Sequence, residues 1–189
     1  IRENFPYKIL QANSIEADDI IATLCKLQGN EVLDVGEKIL IISTDKDFLQ
    51  LQKYQNVDQW SPVRKVFLNE NDPKKFLFEH ILRGDSGDGI PNIKSDDDTF
   101  VNDTKRQGKL YQKRIDEIYR ESLTNLDWYK TQFTDTEYRN WIRNIQLIDL
   151  DFVPEMFQTW ISQEFEKEPK TKDRSKLMPF FAKHKMRQC

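Results

Sequence analysis

Hydrophobic residues follow two patterns along this chain, short continuous runs in the first third and helical spacing afterwards. The runs "YKIL" (7–10) and "KILIIS" (38–43) predict short strands covered on both faces, as in a parallel sheet. Between them, apolar residues at helical spacing from 17 to 27 predict a helix. Asn13 and Glu16 form an N-x-x-E capping pattern, and Gly29 supplies a stop. The order strand, helix, strand is that of a β-α-β unit.

The next segment continues the α/β pattern and then becomes helical. "FLQLQ" (48–52) looks helical, whereas "VDQW" (57–60) and "RKVFL" (64–68) predict a short antiparallel pair. "PKKFLFEHILRG" (73–84) has proline early and glycine late, as a helix should. From about residue 108 onward the pattern is helical and rich in aromatic residues. We therefore predict an α/β fold, with a parallel-sheet core over residues 1–70 and a helical region over residues 71–189.

Composition places the chain among globular proteins that bury a real core. It has 189 residues, of which 38% are hydrophobic, and no apolar run approaches the roughly 20 residues that cross a membrane. The first ten residues contain neither a signal core nor a cleavage site. The two cysteines, Cys25 and Cys189, form neither a disulfide framework nor a metal knuckle. We expect a reducing, cytoplasmic setting without a membrane.

Charge is unevenly distributed, although the net charge is only −3. Residues 167–187 contain eight Lys or Arg against two acids, and residues 105–115 contain five basic residues and no acid. Such segments give a polyanion places to bind. The alternative is that they form solvated faces or a solvated tail.

Acidic residues cluster at three places that the predicted sheet would bring to one edge. Each cluster alone has an ordinary explanation in helix-dipole or turn chemistry. Together they would repel one another unless cations held them, and oxygen ligands suit Mg²⁺ or Mn²⁺ rather than zinc. Nothing in the sequence resembles a histidine or cysteine site. The candidate ligands are Glu16, Asp18, Asp19, Asp45, Asp47, Asp85 and Asp88.

Hard cations in a carboxylate site commonly serve phosphate chemistry, in which they activate water and stabilise the leaving oxygen. Basic segments nearby would hold a phosphate backbone. These residues therefore predict a metal-dependent phosphodiesterase that acts on nucleic acid.

The motifs "EADD" (16–19), "TDKD" (44–47) and "GDSGDGIP" (84–91), in this order, resemble those of the 5′-nuclease or flap endonuclease family. The chain most resembles the ribonuclease H branch of T-even-type bacteriophages. The resemblance implies a PIN-like core, of which residues 1–70 would be the C-terminal half, and a site for two Mg²⁺ ions in which Mn²⁺ can substitute. It implies a 5′→3′ exonuclease and flap endonuclease that acts on RNA–DNA hybrids and 5′ flaps in primer removal during DNA replication. The seven acids would be its catalytic metal ligands.

The same resemblance implies a helix–three-turn–helix DNA-binding element around the third motif, within residues 71–189. Two departures stand out, since Gly89 replaces the usual asparagine and "NIKSDDDTF" replaces a Gly-Ile-Gly hairpin. Its three consecutive aspartates would repel phosphate, so we do not expect the family's potassium site. Three of the basic candidates, at 105, 109 and 113, have helical spacing and should share a face. The candidate DNA contacts are Lys94, Lys105, Arg106, Lys109, Lys113 and Arg114.

Family members also carry an upstream strand with a metal-binding aspartate and a helical arch, none of which precedes Ile1. We therefore expect an incomplete fragment, completed either by a longer chain or by a separate N-terminal half. A replication clamp or single-strand-binding protein is a further candidate partner.

Two other functions compete with the nuclease. One is a catalytically incomplete module that binds duplex DNA. The other is a receiver-type Mg²⁺ domain that accepts phosphate on Asp45, which leaves "GDSGDGIP" and the basic helical half unexplained. Trp128, Tyr129 and Trp141 could stack on bases, but their helical spacing favours core positions.

Overall fold

The computed structural model describes residues 4–29, 37–169 and 173–186. It contains mixed α and β elements, as the sequence predicts, in two compact units formed by residues 28–152 and by residues 1–27 with 153–189. The elements are α1 (Ala17–Gln28), β1 (Ile39–Ile42), a 3₁₀ segment (Asp47–Lys53), β2 (Val57–Ser61), β3 (Val66–Leu68), α2 (Pro73–Arg83), α3 (Gln112–Ser122), α4 (Trp128–Gln132), α5 (Asp135–Ile148), a short 3₁₀ turn (Leu150–Phe152), α6 (Glu155–Glu166) and α7 (Leu177–Lys183).

A three-stranded sheet in the order β1-β2-β3 lies in the unit of residues 28–152. β1 and β2 are parallel, with Ile41 opposite Gln59, and the 3₁₀ segment connects them. β2 and β3 are antiparallel, with Trp60 opposite Phe67, which confirms the predicted hairpin.

Two predictions about the strands are wrong. Residues 7–10 lie outside any strand in the described chain, so the expected β-α-β unit with 38–43 is not formed. An apolar run becomes a strand only where a neighbour completes its hydrogen bonds, which the run itself does not specify. β1 is also covered on one face only, because Ile41 is buried whereas Leu40 and Ile42 are 52% and 67% exposed.

The main core lies among α2, α3 and α5, where Ile81, Leu82, Ile115 and Ile118 are buried. Trp141 of α5 packs into this core and against Trp128, at 5.5 Å between ring centroids. The expectation that these tryptophans pack in the core is therefore confirmed. Burying the apolar faces of three helices together stabilises the platform from which the third acidic motif extends.

The ends of α2 are specified locally. Pro73 begins the helix, and the Asp72 carboxylate accepts a hydrogen bond from the backbone N–H of Lys75 at 2.9 Å. The helix ends at Arg83, and Gly84 follows with a φ of 66°. The proline at the start and the glycine after the end were readable in the sequence.

α1 begins one turn later than the capping pattern predicts. The carboxylate of Asp19 accepts a hydrogen bond from the backbone N–H of Glu16 at 3.0 Å. Glu16, rather than Asn13, therefore occupies the N-cap position before Ala17. Within the described residues, no helix combines the length and apolar character needed to cross a membrane.

Candidate metal centre

Asp47, His80 and Asp85 bring their polar atoms together in the unit of residues 28–152. His80 Nε2 lies 3.1 Å from Asp85 Oδ2, and His80 Nδ1 lies 3.6 Å from Asp47 Oδ1. One ligand atom from each of the three lies within 4.8 Å of the others. This spacing is compatible with a shared cation.

Asp47 is positioned by the loop that leaves β1. The Asp45 carboxylate accepts a hydrogen bond from the backbone N–H of Asp47 at 3.0 Å. From the buried side of β2, the Gln59 amide donates to the carbonyl oxygens of Ser43 at 3.0 Å and Asp45 at 2.5 Å. The two acids of "TDKD" therefore have different tasks, since Asp45 shapes the turn that presents Asp47.

Asp85 is positioned by the tight turn after α2. Gly84 is required there because a Cβ at this position would lie 2.3 Å from the carbonyl oxygen of Ile90. Asp85 Oδ1 accepts hydrogen bonds from the backbone N–H groups of Gly87 at 2.7 Å and Asp88 at 3.2 Å. Oδ2 is left to meet His80.

α5 fixes the far side of this turn through two buried asparagines. Asn144 donates to the carbonyl oxygens of Ile81 at 2.7 Å and Pro91 at 3.0 Å. One turn earlier, Asn140 donates to the carbonyl oxygens of Ile93 and Ser95. The third motif is therefore held by the helical core as well as by its own turn.

The two carboxylates have opposite pKa shifts. Burial raises the pKa of Asp47 from 3.8 to about 6; His80 opposes this shift, whereas repulsion from Asp45, Asp85 and Asp88 adds to it. Burial would also raise the pKa of Asp85, but hydrogen bonds from Gly87, Asp88 and His80 outweigh it, and that pKa is lowered. The site thus holds one readily ionised carboxylate and one whose charge is costly without a cation.

A cleft of about 540 Å³ opens beside these groups and includes Asp47, His80 and Asp85 in its lining. Lys75 and Arg83 of α2 also line it. Lys75 lies 3.6 Å from Glu79 and 3.5 Å from Asp116, and Arg83 donates a hydrogen bond to Gln112. The cleft therefore combines candidate metal ligands with cationic groups.

The remaining predicted ligands are placed in two ways. Asp45 and Asp88 are exposed, yet close enough to Asp47 for their charges to affect its pKa. Glu16, Asp18 and Asp19 lie at the start of α1, which begins in the other unit, and their convergence with Asp47 stays a prediction.

His80 is a member of this cluster that no sequence motif indicated, since the sequence resembles no histidine site. In the sequence it was only one residue of the helix predicted over 73–84. A signal was available, because His80 is one of only two histidines and stands five residues before Asp85 on the helix that leads into the third motif. Its approach to Asp47 depends on tertiary packing of α2 against the 3₁₀ segment.

The candidate DNA contacts divide according to their partners. Lys94, Arg106, Lys109 and Lys113 are exposed. Lys105 instead forms ion pairs with Asp96 and Asp98, at 2.8 and 2.5 Å. Arg114 donates two hydrogen bonds to Gln132, at 2.7 Å to the side chain and 2.5 Å to the backbone. The predicted common helical face is wrong, because α3 begins only at Gln112 and Lys105 and Lys109 precede it.

The acidic run at residues 96–98 has internal partners of its own. Asp96 and Asp98 share Lys105, whereas Asp97 contacts Arg139, at 3.0 Å, and Arg143. The charges that were expected to repel phosphate are therefore compensated within the fold. Lys94 packs against Gly108, since a Cβ added to Gly108 would lie 2.8 Å from the Cβ of Lys94. Lys94 and Lys109 are therefore on adjoining loop segments.

Comparison with family models identifies two matching regions. Residues 73–189 match the C-terminal domain of T4 RNase H. Residues 1–78 match the N-terminal resolvase-like domain of 5′-3′ exonucleases.

Individual relatives agree with these matches. The ribonuclease H of Enterobacteria phage T4 is 32% identical over 185 residues, which cover 97% of this chain and 58% of that protein. A flap endonuclease Xni from Shewanella piezotolerans is 36% identical over 92 residues, covering 44% of this chain and 34% of its own length. This chain thus spans little more than half of the T4 relative.

Solved structures support the fold. A T5 5′-exonuclease mutant superposes with a TM-score of 0.56 at 19% identity, covering 83% of this chain and 69% of its own. A T5 D15 protein co-crystallised with metal ions gives a TM-score of 0.54 at the same identity.

Proposed function

Since this chain belongs to the family of T4 ribonuclease H and the 5′-3′ exonucleases, we propose that it takes part in metal-dependent hydrolysis of nucleic-acid phosphodiesters. The activity is that of a 5′→3′ exonuclease and flap endonuclease with ribonuclease H activity. Its substrates are 5′ flaps, nicked or forked duplexes and RNA–DNA hybrids, and its role is primer removal during DNA replication in the cytoplasm of the host cell.

The observation that carries this proposal is the cluster of Asp47, His80 and Asp85 beside an open cleft. The buried His80 Nδ1 has no hydrogen-bond partner in the described chain, and burial, with repulsion from Asp45, Asp85 and Asp88, raises the pKa of Asp47 although His80 opposes the shift. Both features fit a site that accepts a divalent cation. When bound, Mg²⁺ or Mn²⁺ would activate a water molecule and stabilise the leaving oxygen of a phosphodiester.

The residues of the chain itself have three roles in this proposal. Asp47 holds the cation, with Asp45, Asp85 and Asp88 contributing negative charge around it. Gly84 and the turn from Asp85 to Ile90 fix the direction of the second carboxylate. From the resemblance of their motif to the family's, we propose the role of metal ligand for Glu16, Asp18 and Asp19 as well.

We propose that α2, α3 and the loop of residues 84–111 between them form a DNA-binding element, in the role of a helix–three-turn–helix. The exposed Lys94, Lys109 and Lys113 would contact backbone phosphates, which position a duplex without reading its sequence. Arg106 is a further exposed candidate, whereas Lys105 and Arg114 serve the fold through their internal partners.

A cleavage assay with 5′-labelled flap and RNA–DNA hybrid substrates tests the nuclease. Because the chain spans 58% of the T4 relative, the assay has two arms, this chain alone and this chain mixed with the preceding N-terminal segment of T4 ribonuclease H. We expect 5′-directed cleavage in Mg²⁺ or Mn²⁺ in the mixed arm, with poor cleavage by this chain alone. Asp47→Asn should abolish cleavage, and Asp58→Asn, an exposed acid of β2, should not.

The alternative function is a duplex-binding module without catalysis. The exposed Lys94, Lys109 and Lys113 favour it, because phosphate contacts can hold a duplex whether or not a cation is bound. Binding of forked duplexes without Asp47-dependent cleavage in either arm would support this alternative. A clamp or single-strand-binding protein could then recruit the module.

The proposed DNA-binding element can be tested separately. Replacing Lys94, Lys109 and Lys113 together with Ala should weaken duplex binding about equally for different sequences, and should reduce the salt slope by roughly one unit for each lost phosphate contact. Fluorescence anisotropy at several salt concentrations measures both effects. As a control, Lys105→Ala should leave the slope nearly unchanged. An unaltered slope in the triple variant would assign these lysines to a solvated face.

A further inference from the structure

The imidazole of His80 stands between the two carboxylates of the candidate metal centre. Its side chain is 14% exposed, with Nε2 at 3.1 Å from Asp85 Oδ2 and Nδ1 at 3.6 Å from Asp47 Oδ1. Phe76, one turn earlier on α2, packs edge-on against the ring, with centroids 5.8 Å apart. The ring is therefore held by contacts on two sides.

The two ring nitrogens differ in what they bond. Nε2 is within hydrogen-bonding distance of Asp85, whereas Nδ1 is buried without a hydrogen-bond partner among the described residues. A buried nitrogen that bonds nothing carries a desolvation cost. If Nε2 carries the proton and donates a hydrogen bond to Asp85, the lone pair of Nδ1 is directed towards the region of Asp47. This arrangement is typical of histidines that bind metals, in which a carboxylate holds the second nitrogen.

We propose that His80 Nδ1 is a direct ligand of a divalent cation together with Asp47, and that Asp85 orients the ring through Nε2. This inference rests on the proposed metal-dependent function and adds a nitrogen donor to a site otherwise made of oxygens. Imidazole binds first-row transition ions better than it binds Mg²⁺. The centre should therefore prefer Mn²⁺ over Mg²⁺ more strongly than a site of carboxylates alone.

A competing role for His80 is purely structural, in which the ring packs on Phe76 and steadies Asp85. In that role Nδ1 makes no bond to the cation, and the choice between Mn²⁺ and Mg²⁺ does not depend on it. The two roles therefore differ in a spectroscopic property that does not require activity.

Pulsed EPR of Mn²⁺ bound to the full chain tests the proposal. We expect a coupling between Mn²⁺ and a directly bound nitrogen, which changes when the protein is made with ¹⁵N-labelled histidine. His80→Gln keeps an amide near the position of Nε2 and removes Nδ1, so the coupling should disappear. The matched control is His184→Gln at the other, exposed histidine, and there the coupling should persist.

Affinity provides a second readout. Titration calorimetry should show Mn²⁺ binding weakened by about tenfold or more in His80→Gln, whereas Mg²⁺ binding changes less. If His80→Gln does not fold, as judged by circular dichroism, the labelled wild type and His184→Gln decide the assignment alone.

Two outcomes would overturn the inference. Mn²⁺ binding that requires Asp47 but shows no nitrogen coupling would retain the metal centre and the proposed function while removing His80 from the ligands. Absence of Mn²⁺ binding at millimolar concentrations, in this chain alone and in its mixture with the T4 N-terminal segment, would overturn both the inference and the function.

Discussion

Replacing Asp47 with Asn should stabilise the protein at alkaline pH when no divalent cation is present. The pKa of Asp47 is raised from 3.8 to about 6, so the folded state holds its proton more tightly than the unfolded state does. The stability that this group contributes is therefore present below about pH 4 and is lost as the pH rises through about 6. Above that, folding retains a charged carboxylate in a site that is only 21% exposed.

The size of the effect follows from the shift. A pKa change of one unit corresponds to about 1.4 kcal/mol, so the shift of Asp47 sets an upper value near 3 kcal/mol. Relaxation of the neighbouring acids reduces this, and we expect Asp47→Asn to raise the free energy of unfolding by about 1–3 kcal/mol at pH 8. The difference should shrink towards zero near pH 4, where the wild-type carboxyl is also neutral.

Urea unfolding followed by tryptophan fluorescence, in the presence of a chelator, measures this difference between pH 4 and pH 8. Asp58→Asn, which removes an exposed acid from β2, is the control and should change stability by less than about 0.5 kcal/mol. If Asp47→Asn lowers stability at pH 8, or if its effect is independent of pH, the account of Asp47 as a costly buried charge is wrong.

With a divalent cation present, the wild type should become more stable than Asp47→Asn, the reverse of their order without a cation. An ion bound only by the folded state adds about 2.7 kcal/mol at a concentration one hundred times its dissociation constant. Millimolar Mg²⁺ or Mn²⁺ should therefore raise the melting temperature of the wild type and leave that of Asp47→Asn nearly unchanged. An equal response in both proteins would place the cation elsewhere.

Two further predictions concern the scaffold. Gly84→Ala should destabilise the protein by about 3 kcal/mol or more, because the added Cβ would meet the Ile90 carbonyl. The control, Gly89→Ala, has a similar positive φ of 74° and nothing within 4 Å, and it should cost only about 1 kcal/mol. Equal losses of stability in the two variants would refute the steric reason. Gln50→Ala should lower the free energy of unfolding in urea by about 2–3 kcal/mol, because the buried Gln50 amide donates to the carbonyl of Ile148 and accepts from the N–H of Leu150. The control, Gln146→Ala at an exposed position, should have almost no effect. A loss below about 0.5 kcal/mol in Gln50→Ala would contradict the importance of these two hydrogen bonds.

Local chemistry made much of the fold predictable. The proline at the start of α2 and the glycine after it are signals read within a few residues, and α2 has nearly the expected bounds. The β2–β3 hairpin was equally readable, because its apolar positions and turn lie close together in the chain. In contrast, "YKIL" was apolar without being a strand, since pairing is decided by residues distant in sequence.

Two residues of the candidate site were recognisable in the sequence for a similar reason. Asp85 follows α2 after a single glycine, and Asp47 comes a few residues after the apolar run of β1. For Lys105, the charge pattern and the residue spacing did not reveal that Asp96 and Asp98 form ion pairs with it. His80 was missed because its role requires knowing which face of α2 meets the segment that begins at Asp47.

The two carboxylates of the centre are constrained to different degrees, and this indicates how a cation would be received. Asp85 has one oxygen held by two backbone N–H groups and the other by His80, on a turn that Asn144 ties to α5. Asp47 is presented by the turn after β1, and its carboxylate lies 3.6 Å from His80 Nδ1, a distance longer than a hydrogen bond. The rigid carboxylate and the ring that it orients therefore define the position of the ion. Asp47, whose charge is the more costly without one, is the group that adjusts to complete the site.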